Sequence, residues 1–432
     1  MSAARILKPQ NIVGYTLRGG NLMNGDLTFE EVAAKYPDFP RLIMLKTDIH
    51  RRGVYYTPNA LSAVDETRHQ LDGTHLFGTR DGKLTKRPEA FILCDGTSVL
   101  STPTSLENNP YIVDLIDDKL ILTDGGREIE EIFYWDKPDF YDKRTSSGAL
   151  MQNIVGARPQ RLYLIPNRYC HFWSEDMGCK FCDIVNNLKQ QRNEIEMQTK
   201  IKPKDVSETI KEALKERGRF SAICLTSGSD FHGEIPFDKE IDYYIEILNA
   251  IGENFSTKKF PSQLICSAVT TKQLKRLYDE TGISSITMDI EVLNENIFNI
   301  VCPGKAKWVG YKEWKRRLID AVEIFGEGRV NTGIVSGVEL IKPFGFRSED
   351  EALEAILKEA DELASYGVST VNMVWVPRPN TYLAEQKNAS LEYYVRLSSA
   401  LQEIRKNHSL TIDFDDYRRC GNHPDSDLAR AF

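Results

Sequence analysis

Three cysteines in one short stretch carry the first chemical signal in this chain. In residues 161–182, RLYLIPNRYCHFWSEDMGCKFC, Cys170, Cys179 and Cys182 are spaced C-x8-C-x2-C. Thiolates at that spacing on one loop can converge on a single metal centre. Three rather than four leave a coordination position open. For zinc an open position usually serves catalysis. For a cubane iron–sulfur cluster it leaves one iron able to bind something other than protein. A zinc clip with His171 as fourth ligand would also produce the pattern, as would a chance grouping among 8 cysteines.

A short apolar strand over 162–166 runs into this loop, and the last cysteine pair encloses an aromatic residue, Cys179-Lys-Phe-Cys182. The arrangement resembles the cluster loop of the radical S-adenosylmethionine (SAM) enzymes, with five residues more in the first interval than the common C-x3-C-x2-C. The resemblance implies that Cys170, Cys179 and Cys182 hold a [4Fe-4S] cluster whose fourth iron chelates the amino and carboxylate groups of SAM. It places Phe181 near the adenine. It also implies the reaction: an electron passes into the sulfonium, the C5′–S bond breaks, and a 5′-deoxyadenosyl radical abstracts hydrogen from a small-molecule substrate. The cofactor supplies that hard step and the protein supplies orientation and a dry, oxygen-sensitive site. Ferredoxin or flavodoxin is implied as electron donor.

Such a loop needs a scaffold, and the chain after it alternates strand and helix about seven times. Strands are expected over 221–225, 263–267, 285–292, 329–338, 370–376 and 409–414. Helices are expected over 204–217, 239–251, 271–280, 311–325, 348–366 and 390–406. β-Branched strands separated by amphipathic helices point to an α/β fold with buried parallel strands. We expect a partial or near-complete (β/α) TIM-like barrel of about six to seven units over 161–415. Residues 1–147 read as an N-terminal α+β accessory domain, 148–160 as a connector and 416–432 as a C-terminal tail. In the accessory region, 28–35 reads as a helix. The runs 41–46, 54–56, 90–94, 111–116 and 119–123 read as strands, with a hairpin turn at Asp117-Asp118.

In barrels of this kind the chemistry sits at the C-terminal ends of the strands. Beyond the second strand, Ser227, Gly228 and Ser229 resemble the glycine-rich turn whose backbone binds the SAM amino group, although an ordinary strand-to-helix turn reads the same way. On the fourth strand Asp289 and Glu291 are two apart and so face one way. Buried carboxylates need partners: ribose hydroxyls, by the resemblance, or a Lys or Arg salt bridge. The fifth strand, VNTGIVSGVE, resembles a G-I-V-G-x-G-E stretch that flanks the adenine, with Gly333, Val335, Gly337 and Glu339 in place. The sixth, NMVWVPRPNT, resembles an N-x-L-x-P-x-x-G-T stretch whose backbone, Val376 included, lies against the same ring. The resemblance runs over about 160–380.

Other candidates remain open. Cys224 and Cys266 occupy strand positions similar to those that hold a second, sulfur-donating cluster in biotin synthase, but Asn331 stands at the third position. A small buried hydrophobe is the alternative for each. Cys302 and Cys420, the latter near His423, could donate hydrogen to a product radical or ligate an auxiliary cluster. His232, Glu234, Lys342 and Arg378 lie just beyond strand ends and could contact substrate or the SAM carboxylate. A formal charge of −8 and a pI near 5.6 argue against nucleic acid as partner. No apolar run reaches eighteen residues, so no membrane span is expected. The start MSAARILKPQ lacks a signal-length apolar region, and scattered cysteines then suggest a reducing cytoplasm.

Overall fold

The computed structural model describes residues 26–71, 87–100, 102, 104–158, 160–194, 197–410, 423, 424, 427 and 428. Its scaffold is a sheet with six parallel strands in chain order: β1 (Arg161–Leu164), β2 (Ala222–Thr226), β3 (Ser262–Ile265), β4 (Ser285–Thr287), β5 (Val330–Ser336) and β6 (Val368–Val374). A two-residue strand, Gly156–Ala157, pairs antiparallel with β1 and makes the seventh. Among the described residues the two edges do not pair, so the sheet is open rather than a closed barrel.

The strands are short, and most of their residues are buried, as parallel strands covered on both faces require. The covering helices are α1 (Ile184–Glu194), α2 (Pro203–Ala213), α3 (Asp238–Gly252), α4 (Thr271–Glu280), α5 (Glu295–Val301), α6 (Pro303–Trp308), α7 (Tyr311–Phe325), α8 (Glu349–Ser365) and α9 (Leu391–Asn407). Local chemistry sets their ends. Thr270 and Gln273 form a reciprocal capping box on α4. Ser348 caps α8 by accepting from the Glu351 N–H, while the Glu351 carboxylate reaches one residue further back, to the Arg347 N–H.

Three expectations need correction. Residues 41–46 are not a strand but the start of a helix, Arg41–Arg52. Its residues 43–50 are all buried, so the apolar run carries no strand signal that packing must respect, and Lys46 is held inside by Asp427 at 2.6 Å. The fourth strand stops at Thr287, because Glu291 adopts φ 69° and leaves the extended region. The expected strand over 409–414 begins in a turn, with Ser409 at φ 55°, and its remainder lies outside the described residues. The hairpin at Asp117-Asp118 is present, with both residues left-handed, as the twist-matched two-residue turn demands.

Buried side chains fall into two clusters. One joins the six strands to their helices. The other gathers residues between Phe29 and Tyr134 with Leu391, Val395 and Leu428, so the N-terminal region packs on α9. Among the described residues no helix is long and apolar enough to cross a membrane.

Candidate functional site

The cysteine loop leaves β1 and is clamped from two sides. From β2, the Gly228 N–H donates to Asn167 O at 2.9 Å, and Ser229 O accepts from the His171 N–H at 2.8 Å. The approach is so close that a Cβ on Gly228 would lie 2.5 Å from the backbone of Tyr169 and Cys170. Residues 227–229 therefore brace the cysteine loop, whatever else their backbone binds. From the other side, the Lys180 N–H donates to Val301 O at 2.8 Å and the Gly304 N–H to Met177 O at 3.0 Å. Phe231 stacks on Trp308, with ring centroids 4.3 Å apart, and on Phe172 at 5.9 Å, filling the space under the loop.

These clamps hold the loop so that its three thiols lie within electrostatic reach of one another. Desolvation, then the neighbouring Cys179, pushes the Cys170 thiol up to about 12. Cys182 rises well above the usual thiol range for the same reasons, with Cys170 adding to the effect. Cys179 raises both of the others, which places it electrostatically between them. A bound thiophilic cation reverses that balance by stabilising thiolates. Cationic side chains flank the group: Arg378 faces Asp183 and Cys182, and Lys305 faces Cys179 and Cys302. Soft donors gathered under compensating positive charge fit a thiolate-ligated metal centre.

Cys302 is fully buried at the joint of α5 and α6, beside Cys179. Its neighbours are Cys179, Lys305 and Glu291, so it stands beside the group of three. His171 turns away from the sulfurs. Its Nε2 lies 3.5 Å from Asp230 Oδ2, and His232 Nδ1 lies 2.7 Å from Asp230 Oδ1. Rather than joining the cysteines, His171 groups with Asp230 and His232, whose ligand atoms lie within 4.8 Å of one another.

Next to the loop the six strands enclose one cavity of about 980 Å3, its open mouth included. Tyr163, Cys224, Gln263, Thr287, Asn331 and Met373, one from each strand, line it. Asp289, Glu291, Gly333 and Val335 line it too, so four of the expected nucleoside-binding residues converge. Asp289 Oδ1 accepts from the Gly333 N–H at 2.7 Å. A Cβ on Gly333 would lie 2.5 Å from that oxygen, so a side chain there would push the Asp289 carboxylate out of its place. Glu291 carries the salt bridge that the sequence left open, to Lys305 Nζ at 2.6 Å. Burial nevertheless lifts the Glu291 carboxyl to about 7, against the pull of the lysine. Replacing Lys305 by Met should strand a buried carboxylate at a cost of about 3–5 kcal/mol. A lowered urea midpoint at neutral pH checks this, and an unchanged midpoint contradicts it.

Of the other described candidates, Cys224 and His423 also line the cavity, whereas those on the fifth and sixth strand ends do not. Gly337 donates its N–H to Glu339 Oε1 at 2.8 Å, and Glu339 in turn holds the Tyr393 hydroxyl, which is a packing role. Val376 lies past the end of β6, and Phe181 packs half-buried against the main core. Cys224 directs its thiol at Gln263 Oε1, 3.7 Å away, while Cys266 sits beyond β3, so this pair is not gathered in the cavity. Glu234 is exposed, and Lys342 Nζ bonds Phe346 O. Cys420 lies outside the described residues; His423 lines the cavity. The sequence reading missed α5 and α6, which carry Cys302 and Lys305, although Asn294 as cap and Pro303 at the first helical position signal them. It also missed Arg168, which burial brings beside Tyr163 and Arg158.

No protein-family model matches the chain. Over 125 residues it is 25% identical to the bacteriochlorophyllide c C-7(1)-hydroxylase of Chlorobaculum limnaeum, a match that spans 29% of this chain and 28% of that protein. Among solved structures it is similar to a radical SAM methyltransferase from Sphaerobacter thermophilus, at 12% identity and TM-score 0.41, covering 92% of this chain and 97% of that one. It is also similar to the cobalamin-dependent S-adenosylmethionine radical enzyme OxsB, at 13% identity and TM-score 0.34, covering 75% and 50%. The proteins matched are enzymes.

Proposed function

We propose that this chain is a radical SAM enzyme acting on a small molecule, with a [4Fe-4S] cluster on Cys170, Cys179 and Cys182. The observation that carries the reading is the convergence of those three thiols beside a cavity that all six parallel strands line. When bound, the cluster supplies the electron that cleaves SAM reductively. The chain's own residues do the rest. The turn at Gly228 holds the cysteine loop in place. Asp289 and Glu291 offer carboxylates to ribose hydroxyls inside the cavity. Lys305 keeps Glu291 paired when no ligand is there. The strand walls shield a reactive carbon centre from water. On this reading the sheet is a partial TIM-like barrel, residues 1–147 are an accessory domain, and the electron donor is ferredoxin or flavodoxin in the cytoplasm.

Anaerobic purification tests the proposal. The expected product is a brown protein with about four irons per chain that yields 5′-deoxyadenosine from SAM and dithionite. A colourless zinc protein, or one that leaves SAM intact, overturns it. Because Cys302 lies outside the cysteine loop, beside Cys179, Cys302→Ser should keep the full iron content and alter only the reduction potential. Loss of iron in that variant would make Cys302 a ligand.

A further inference from the structure

The turn after β2 meets the cysteine loop at a group of donors that the proposed cluster does not use. His171 follows Cys170 on the loop, and Asp230 and His232 lie beyond the end of β2. One ligand atom from each lies within 4.8 Å of the others. Both oxygens of Asp230 face a histidine: Oδ1 is 2.7 Å from His232 Nδ1, and Oδ2 is 3.5 Å from His171 Nε2. The two imidazole rings meet edge to face, with centroids 4.9 Å apart. Hydrogen bonding accounts for the first contact but not the second, which is longer than an N–H···O bond. Donor atoms that each sit about 2.0–2.2 Å from one zinc ion are about 3.3 Å from one another in a tetrahedron. The two separations from Asp230 bracket that spacing.

The backbone holds these donors in place. The His171 N–H donates to Ser229 O at 2.8 Å, and the Asp230 N–H donates to Glu240 Oε2 at 2.8 Å. Glu240, buried on α3, also accepts from the Ser267 N–H and hydroxyl. Phe231, between Asp230 and His232, is stacked on Trp308. A site whose donors are already positioned loses little entropy when an ion arrives. The side chains of Asp230, His171 and His232 are 6%, 25% and 47% exposed, which leaves an ion a path from solvent. Lys200 Nζ lies 3.7 Å from Asp230 Oδ2, beyond hydrogen-bonding distance, on a half-exposed side chain that can swing away.

We propose that His171, Asp230 and His232 bind a divalent transition-metal ion of the zinc class, which ties the cysteine loop to the turn after β2. Two imidazoles and a carboxylate suit zinc and its neighbours. Magnesium and calcium prefer all-oxygen sites. Three protein donors leave a position for water. The inference is independent of the radical SAM reading, because none of the three residues is a ligand of the proposed cluster.

Calorimetric titration with zinc chloride of the anaerobically reconstituted chain, first cleared of loose metal with a chelator, tests the assignment. About one equivalent of zinc should bind, with iron content unchanged and a raised melting temperature. His171→Ala and His232→Ala should each weaken zinc at least tenfold, since losing even a supporting partner of a ligand costs about 10–100-fold. His232 is exposed, so His232→Ala should keep the iron content and the zinc-free melting temperature of the wild type. Absence of zinc uptake overturns the proposal, as does uptake that both variants retain or that occurs only as iron is displaced. Equal binding of magnesium chloride overturns the zinc class. Loss of iron from both variants after zinc-free reconstitution would assign the histidines to the cluster and overturn a second site. A chain that took up no iron, yet bound zinc with the same dependence on His232, would remove the radical reading and leave this site standing.

Discussion

Cys179→Ala should abolish iron binding: the anaerobic protein is expected to drop from about four irons per chain to background, with no 5′-deoxyadenosine formed. Cys179 is the sulfur that influences both Cys170 and Cys182, and Cys302 lies beside it. Removing it leaves two thiols, too few to retain a cubane. The same substitution in a four-ligand zinc site would leave three donors and a weakened but measurable zinc content, so metal analysis separates the two cases. Iron retained at the wild-type level in Cys179→Ala would refute the assignment of the loop.

Gly228→Ala should be nearly as damaging, although Gly228 touches no metal. The added methyl would meet the carbonyl of Tyr169 and the nitrogen of Cys170 at 2.5 Å, and backbone cannot swing aside as a side chain can. Overpacking of this kind costs about 1–3 kcal/mol. Here relief requires moving the segment that positions Cys170 and breaking the Gly228–Asn167 hydrogen bond. The expected result is a lower melting temperature together with lower iron content after identical reconstitution. Gly252→Ala is the control: its nearest contact would be an ordinary 3.6 Å to Phe260, so stability and iron content should hold. Equal behaviour of the two variants would show that the close approach at Gly228 has no consequence for the loop.

Much of this was legible where the signal is local. The three cysteines, the alternation of strand and helix, and the bounds of α4 and α7 follow from spacing and periodicity within a few residues. What escaped depends on distant partners. The helix at Arg41–Arg52 reads as a strand because residues 43–50 are buried all round, which leaves no alternating polar face, and its buried cation is answered only by Asp427, 381 residues away. Asp289 and Glu291 do share a cavity, but a left-handed residue rather than strand alternation puts them there. The turn at 227–229 looked like a ligand cradle, yet its glycine is spent on the neighbouring loop. The grouping of His171 with Asp230 and His232 has no spacing signature, since it joins two loops that meet only in the fold.

Residues 301–305 touch two things at once: Val301 and Gly304 hold the cysteine loop, while Lys305 holds Glu291. Loading metal and filling the acidic end therefore draw on one shared segment. Thermodynamic reciprocity then fixes a relation between them: by whatever factor the loaded loop tightens a nucleoside, that nucleoside must tighten the metal. If the proposed cluster and nucleoside occupy these places, a protein kept supplied with the nucleoside would surrender iron to a chelator more slowly than one starved of it.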